Sequence, residues 1–279
     1  MSLIHEQGYR RFGGLRNAHR AWLVIARHGT IAMVRQRRFL ALLLLAWSPF
    51  VVRAVQIYLS ARFQQASFLA ADAETYRGFL SQQRLFMFFV TVSAGAGLIA
   101  NDRRANALQI YLSKPITRVE YVGGKLSILL TFLLGITWVP AMLLLLLQVA
   151  FAGSLTFLRG NLALIPAITV FAFLQACVAA LIMLALSSLS NSSRFVAVMY
   201  AAVVFFGATL STAMRAATGT AVFRWLSPGN SLEVIGDAIF QRPTSADVPL
   251  PLAVIAIVTL LLGCLVVLER RVSAVEVVG

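Results

Sequence analysis

The chain is 279 residues long, 59% hydrophobic and only 12% charged, with 24 Lys and Arg against 10 Asp and Glu and a formal net charge of +14. A mean hydropathy of +0.84 leaves too little polar surface to coat a water-soluble globule, which excludes an ordinary soluble enzyme or binding domain and indicates an integral membrane protein. The two cysteines, Cys177 and Cys264, fall in different apolar runs, so neither a disulfide framework nor a metal site is suggested; they pack as small apolar groups.

Six runs are apolar enough, and with about 18 or more residues long enough, to cross roughly 30 Å of hydrocarbon at 1.5 Å per residue. They cover approximately residues 39–59, 82–100, 126–150, 162–186, 195–214 and 250–268. The expected fold is an all-α polytopic membrane protein with six transmembrane helices. The basic, mixed first 38 residues do not read as a cleaved signal peptide. With the N-terminus inside, cytoplasmic segments hold 16 of the 24 Lys and Arg and the opposite face seven, so both termini are expected in the cytoplasm. The positive charge is then a topology and lipid-surface signal, and nucleic acid is not called for as a partner. The organisation is a cytoplasmic segment over 1–38, a membrane domain over 39–268 and a cytoplasmic tail over 269–279, with polar insertions at 101–125 and 215–249.

In chain order, Arg16–Phe39 predicts a helix lying on the cytoplasmic surface: Leu15, Ala18, Trp22, Ile25, Ala26, Gly29 and Met33 share one face, and Arg16, Arg20 and Arg27 another. Span one contains Pro49 and Arg53. Arg53 is close enough to the outer end to snorkel, or else it meets an anionic substrate or lipid group. Span two carries Ser93, Gly95 and Gly97, span four Ala172, Ala176 and Ala180, and span five Gly207 and Ser211, spacings that let helices approach closely. Gln148 and Gln175 suit interhelical hydrogen bonding or the lining of a path, and Gln175 joins Arg53 as a candidate substrate or lipid contact. Between spans five and six, Asn230 and Glu233 offer a capping box, with Leu232, Ile235 and Ile239 on one helical face. The spacing predicts amphipathic outer helices there.

The segment between spans two and three carries the densest local signals. Asn101 and Asp102 favour a turn; Arg103–Ser113 has helical spacing with Ala107, Leu108, Tyr111 and Leu112 clustered; Lys114 and Pro115 stop it. Thr117 then caps a new helix with Glu120 completing a capping box, and Ile116 with Tyr121 forms a hydrophobic staple. Holding a loop inside the cell needs only a few positive charges. Two abutting helices with caps and an apolar stripe call for a surface to pack against, either a docking partner or the chain's own helix ends.

Asp102-Arg103-Arg104, Leu108, Tyr111-Leu112-Ser113-Lys114-Pro115, Thr117-Arg118, Tyr121 and Gly124-Lys125 together resemble the pattern that follows the second span in type-2 ABC transporter permeases, the exporter type. The specific resemblance covers about residues 95–126, and the rest of the chain follows in outline. Many members carry Gly-Thr where this chain has Asn106-Ala107. Some branches with this variant are similar to permeases that serve maturation of copper enzymes such as nitrous oxide reductase, others to multidrug, lipid or sodium exporters.

The resemblance implies a cytoplasmic coupling helix that docks on a separate ATPase subunit. It makes Asp102, Arg103, Arg104, Leu108, Tyr111, Leu112, Pro115, Thr117, Arg118 and Glu120 the ATPase-coupling residues. It further implies two ATPase copies, a second permease copy as a homodimer, membrane lipids and a periplasmic accessory protein as partners. The location implied is the bacterial cytoplasmic (inner) membrane. No cofactor is expected on this chain, with ATP and Mg on the partner ATPase.

The residues themselves offer little catalytic chemistry. His5, His19 and His28 all lie in the N-terminal segment, so the spans hold no Ser-His pair or His-rich metal site, and no catalytic or metal residue is expected. Gly124-Lys125 is followed by Leu126, with Val119 where a P-loop needs its first glycine, so it is no Walker A motif. The span interiors, as bounded above, lack Asp and Glu, which counts against an ion-coupled carrier. Such a carrier and a non-transport scaffold or assembly factor stay as alternatives to a permease subunit.

Overall fold

The computed structural model describes residues 21–63, 72–106, 117–152, 160–218, 224–225, 227–243 and 248–273, and the described residues contain helices and no strand. Eleven helices are described: α1 (Ala21–Val34), α2 (Arg37–Ala46), α3 (Ser48–Arg62), α4 (Ala73–Gly95), α5 (Ala100–Arg104), α6 (Arg118–Ile136), α7 (Trp138–Ala152), α8 (Leu164–Leu189), α9 (Ser193–Thr218), α10 (Pro228–Ile239) and α11 (Leu250–Ser273). They form six apolar helical spans: α2 with α3, α4 with α5, α6 with α7, and then α8, α9 and α11 singly. The protein is multi-pass, as its apolar runs predict.

Two spans are interrupted by a single non-helical residue, Trp47 in the first and Thr137 in the third. Pro49 lies in the first turn of α3, and its missing N–H and fixed φ are tolerated there because α2 ends at Ala46 and a fresh helix begins at Ser48. Between α6 and α7, Thr137 turns its hydroxyl back to donate to Leu133 O at 2.7 Å, a bond that competes with the regular ladder.

The core runs along α4, α6 and α8. The third and fourth spans bury 56% and 61% of their most apolar stretches, against 11%, 17% and 17% for the first, fifth and sixth, so α8 is central and α2–α3, α9 and α11 are peripheral. Ala172, Ala176 and Ala180 are fully buried, the small-residue face of α8 doing what its spacing predicts. At Gly95 a Cβ would run into Met183 and Leu129, so the glycine lets α4 approach α8 and α6 together. A second apolar cluster, with Phe79, Leu80, Leu144, Ile168 and Phe171, fills the end of the bundle near α10.

Three expectations need correction. The helix that carries span two begins at Ala73, not near residue 82, and its extension beyond the apolar run is held by Arg77 and Arg84, which pair with Asp237 and Glu233 of α10. Helix α5 stops at Arg104, so no uninterrupted helix runs from Arg103 to Ser113; Asn106 takes φ 52°, a left-handed position open to Asn and Gly. Outside the membrane runs, α10 starts at Pro228 after Ser227 with no side-chain cap, so Asn230 and Glu233 make no capping box. Asn230 instead donates to Ser211 Oγ and Arg224 O, both at 3.3 Å, and Glu233 turns to Arg84. The apolar face of α10 is as expected, with Leu232 and Ile235 buried.

Candidate functional site: the joint between α4, α5 and α6

The polar signals between spans two and three converge on a compact joint. Thr117 Oγ1 accepts from Glu120 N at 3.2 Å, while Glu120 Oε2 accepts from Thr117 N and Oγ1 at 3.0 Å each, so the predicted capping box starts α6 at Arg118. One turn on, Tyr121 and Lys125 stand four residues apart on the same face. Both reach Asp102: Lys125 Nζ lies 2.7 Å from Asp102 Oδ2, and Tyr121 OH donates to the same oxygen at 2.8 Å. The Lys125 ammonium also sits over the Tyr121 ring at 5.5 Å.

The joint is mostly buried. Tyr121 is fully buried and the Lys125 and Asp102 side chains are 11% and 19% exposed. A lysine and a carboxylate withdrawn this far from water need each other, because either alone would be an uncompensated charge. The pair therefore fixes α6 to α5 more strongly than an exposed ion pair would.

A second set of bonds ties the joint to α8. The Ser187 hydroxyl accepts from Ile99 N at 3.1 Å and Ala100 N at 3.0 Å and donates to Ala96 O at 3.1 Å, serving backbone groups at the turn between α4 and α5. Arg103 Nη1 donates to Ser188 O at the C-terminal end of α8. Helix α1 closes the other side of α6. A Cβ on Gly124 would lie 2.8 Å from Ile25 Cβ and 2.9 Å from Trp22 O, so this position lets the two backbones pack. Ile25, Gly29 and Met33 lie on the α1 face predicted from the sequence, with Gly29 against Ile128; Leu15 and Ala18 lie outside the described residues. Beside the joint opens a cleft of about 540 Å³, with Gly29, Gln36, Asn101, Asp102, Lys125 and Arg194 on its walls.

Of the candidate coupling residues, Asp102, Arg103, Thr117 and Glu120 are placed in this network, Arg104 is exposed beside it, and Arg118 opens α6. Leu108, Tyr111, Leu112 and Pro115, with Ile116 of the expected staple, lie outside the described residues. The site list built from the sequence lacked Tyr121 and Lys125, although their i,i+4 spacing was a usable signal, and Ser187 and Ser188, for which α8 gave none. Gln175 and Arg53 do not belong to the joint. Gln175 is 2% exposed within α8, with neither amide atom hydrogen-bonded, and borders a cavity of about 90 Å³ with Arg84, Tyr200 and Gly229. Arg53 stands beside Gln82 of α4, toward the opposite end of the bundle.

That opposite end carries an ion-pair ladder that the sequence did not reveal. Along α4, Arg77 pairs with Asp237 at 3.0 Å and Arg84 pairs with Glu233; beyond Arg77, Glu74 pairs with Arg242 at 2.8 Å. The order along α4 is the reverse of the order along α10 and its C-terminal extension, as antiparallel elements require. Arg77 also donates to Glu233 O at 3.1 Å and lies over the Phe171 ring at 5.2 Å.

Neither set of residues holds a nucleophile aligned with a base, and among the described residues no group of three or more His, Cys, Asp and Glu could hold a metal ion. The α4–α5–α6 joint ties Asp102, before residues 107–116, to Tyr121 and Lys125, after them, by an ion pair and a hydrogen bond. Residues 23–271 match a family model described as an ABC-2 family transporter protein. No curated protein matches the chain.

Proposed function

From the premise that the chain belongs to the ABC-2 transporter family, we propose that it is the membrane-spanning subunit of an ABC exporter that draws energy from a separate ATPase through residues 102–125. The observation that supports this reading best is the buried Asp102–Lys125–Tyr121 joint. A push on the intervening segment would reach α6 at Tyr121 and Lys125, and α4 and α8 through Ser187 and Arg103. ATP and Mg sit on the partner; two ATPase copies serve a dimer of this chain, and the Asp102 end of the bundle faces the cytoplasm of a bacterial inner membrane. Closure of the ATPase pair drives the joint and, through α4, α6 and α8, the second, third and fourth spans.

Asn106 bears on the branch within the family. Its left-handed φ is one that Gly also adopts, so Asn106 in place of Gly keeps the backbone course, and a placement near the copper-enzyme maturation permeases rests on the Asn-Ala variant. The test of the main reading is co-purification. The full chain should retain an ATPase with Walker A and ABC signature motifs, and Leu108→Asp with Tyr111→Asp should abolish retention and ATP turnover of the complex while leaving the chain in the membrane. Retention with unchanged turnover would refute docking at this segment.

A further inference from the structure

Arg77, Arg84 and Arg242 at the α10 end each face a carboxylate. Arg53 differs: its Nη1 donates to Gln56 Oε1 at 2.8 Å and its Nη2 to Gln82 Oε1 at 3.5 Å, both neutral amide oxygens, and no carboxylate lies within ion-pair distance of it among the described residues. The guanidinium is half-buried, on a helix whose Val51, Val52, Val55 and Tyr58 are exposed. Nothing crowds it from α4, where Gly78 offers no side chain and a Cβ would still be 3.8 Å from Arg53 Nη2.

Two lengths place this charge at headgroup depth. Gln82 precedes Asp102 by twenty residues, about 30 Å of helix, which is one hydrocarbon thickness. Independently, Arg53 follows Arg37, the first residue of its span, by sixteen residues, about 24 Å, and a snorkelling side chain covers the last few ångströms. An arginine inside hydrocarbon would need an internal counter-ion. One at the boundary can take its counter-ion from the bilayer.

We propose that Arg53 and Gln82 form a binding site for the phosphate of an anionic phospholipid, in the leaflet opposite the Asp102 end. The guanidinium has five N–H donors and spends two on the glutamines, which leaves a planar set for phosphate oxygens. Gln82 is exposed, and with its Oε1 engaged by Arg53 its Nε2 can donate to the same phosphate. Val51 and Val52, exposed on the hydrocarbon side of Arg53, provide apolar surface for the lipid's acyl chains. The site is independent of the ATPase reading.

The test is native mass spectrometry of the full chain, delipidated in detergent and titrated with short-chain phosphatidylglycerol, phosphatidylcholine or inorganic phosphate. Wild type should bind phosphatidylglycerol in preference to phosphatidylcholine, and Arg53→Gln should weaken that binding at least tenfold while Arg62→Gln does not. Gln82→Glu, which keeps Arg53 but gives it an internal carboxylate, should weaken binding to a similar extent and guards against a folding defect in Arg53→Gln. Unchanged phosphatidylglycerol binding in either variant overturns the site. Displacement of the lipid by equimolar inorganic phosphate overturns the lipid as its ligand and identifies a site for free phosphate.

Discussion

Lys125 Nζ and Asp102 Oδ2 lie 2.7 Å apart on two different helices, α6 and α5, and the same carboxylate oxygen receives the Tyr121 hydroxyl at 2.8 Å. One buried oxygen thereby joins the exit of span two to the entry of span three. Removing either charge strands the other, whereas removing both leaves no buried charge and strands only the neutral Tyr121 hydroxyl.

Asp102→Leu and Lys125→Met should therefore each destabilise the protein by about 3–5 kcal/mol, while the two together should cost markedly less than their sum. Thermal unfolding in detergent, analysed as a double-mutant cycle, measures the coupling. A double-variant loss equal to the sum of the single losses would mean that the pair does not act as a unit.

Two neighbouring glycines of α6 should respond in opposite directions. Gly124→Ala forces its methyl into Ile25 and the Trp22 carbonyl of α1 and should cost about 1–3 kcal/mol. Gly123→Ala meets nothing within 4 Å and should stabilise the helix by up to about 1 kcal/mol. Thermal midpoints of the two variants, compared side by side, check the close approach of α1 to α6.

Ser187→Ala withdraws the hydroxyl that accepts from Ile99 N and Ala100 N, two buried backbone donors. The expected loss is about 1–3 kcal/mol, with faster hydrogen exchange confined to the turn at residues 96–100. Unchanged exchange there would show that α8 does not hold the turn.

At the other end, Asp237→Ala leaves the Arg77 guanidinium buried without its counter-ion and should cost about 3–5 kcal/mol. Glu74→Ala removes a partner whose side chain is 67% exposed and should cost no more than about 1 kcal/mol. Limited proteolysis of the chain flanking α10 should accelerate in Asp237→Ala and not in Glu74→Ala.

The six spans were legible because a bilayer imposes a length and an apolarity that composition alone reports. The capping box at Thr117 was equally plain, since both partners lie within one turn and need no tertiary information. Charges that find partners far along the chain were misread. The pairing of Arg77 and Arg84 could not be read because Asp237 and Glu233 are about 150–160 residues away. The same long-range pairing took Glu233 from its expected cap: its carboxylate meets Arg84 and leaves the start of α10 without a side-chain cap. Ser187 had no readable signal, because a serine inside an apolar helix reveals its purpose only when the turn it serves is placed beside it.

The ladder on α4 also fixes an order of events during synthesis. Arg77 leaves the ribosome 160 residues before Asp237, an interval of roughly 8–30 s at about 5–20 residues per second. Throughout that interval the second span carries an arginine whose counter-ion has not yet been made. The outer end of its helix cannot settle until α10 arrives, so truncation before Glu233 should leave a nascent chain that membrane quality control can recognise by the two unanswered charges of Arg77 and Arg84.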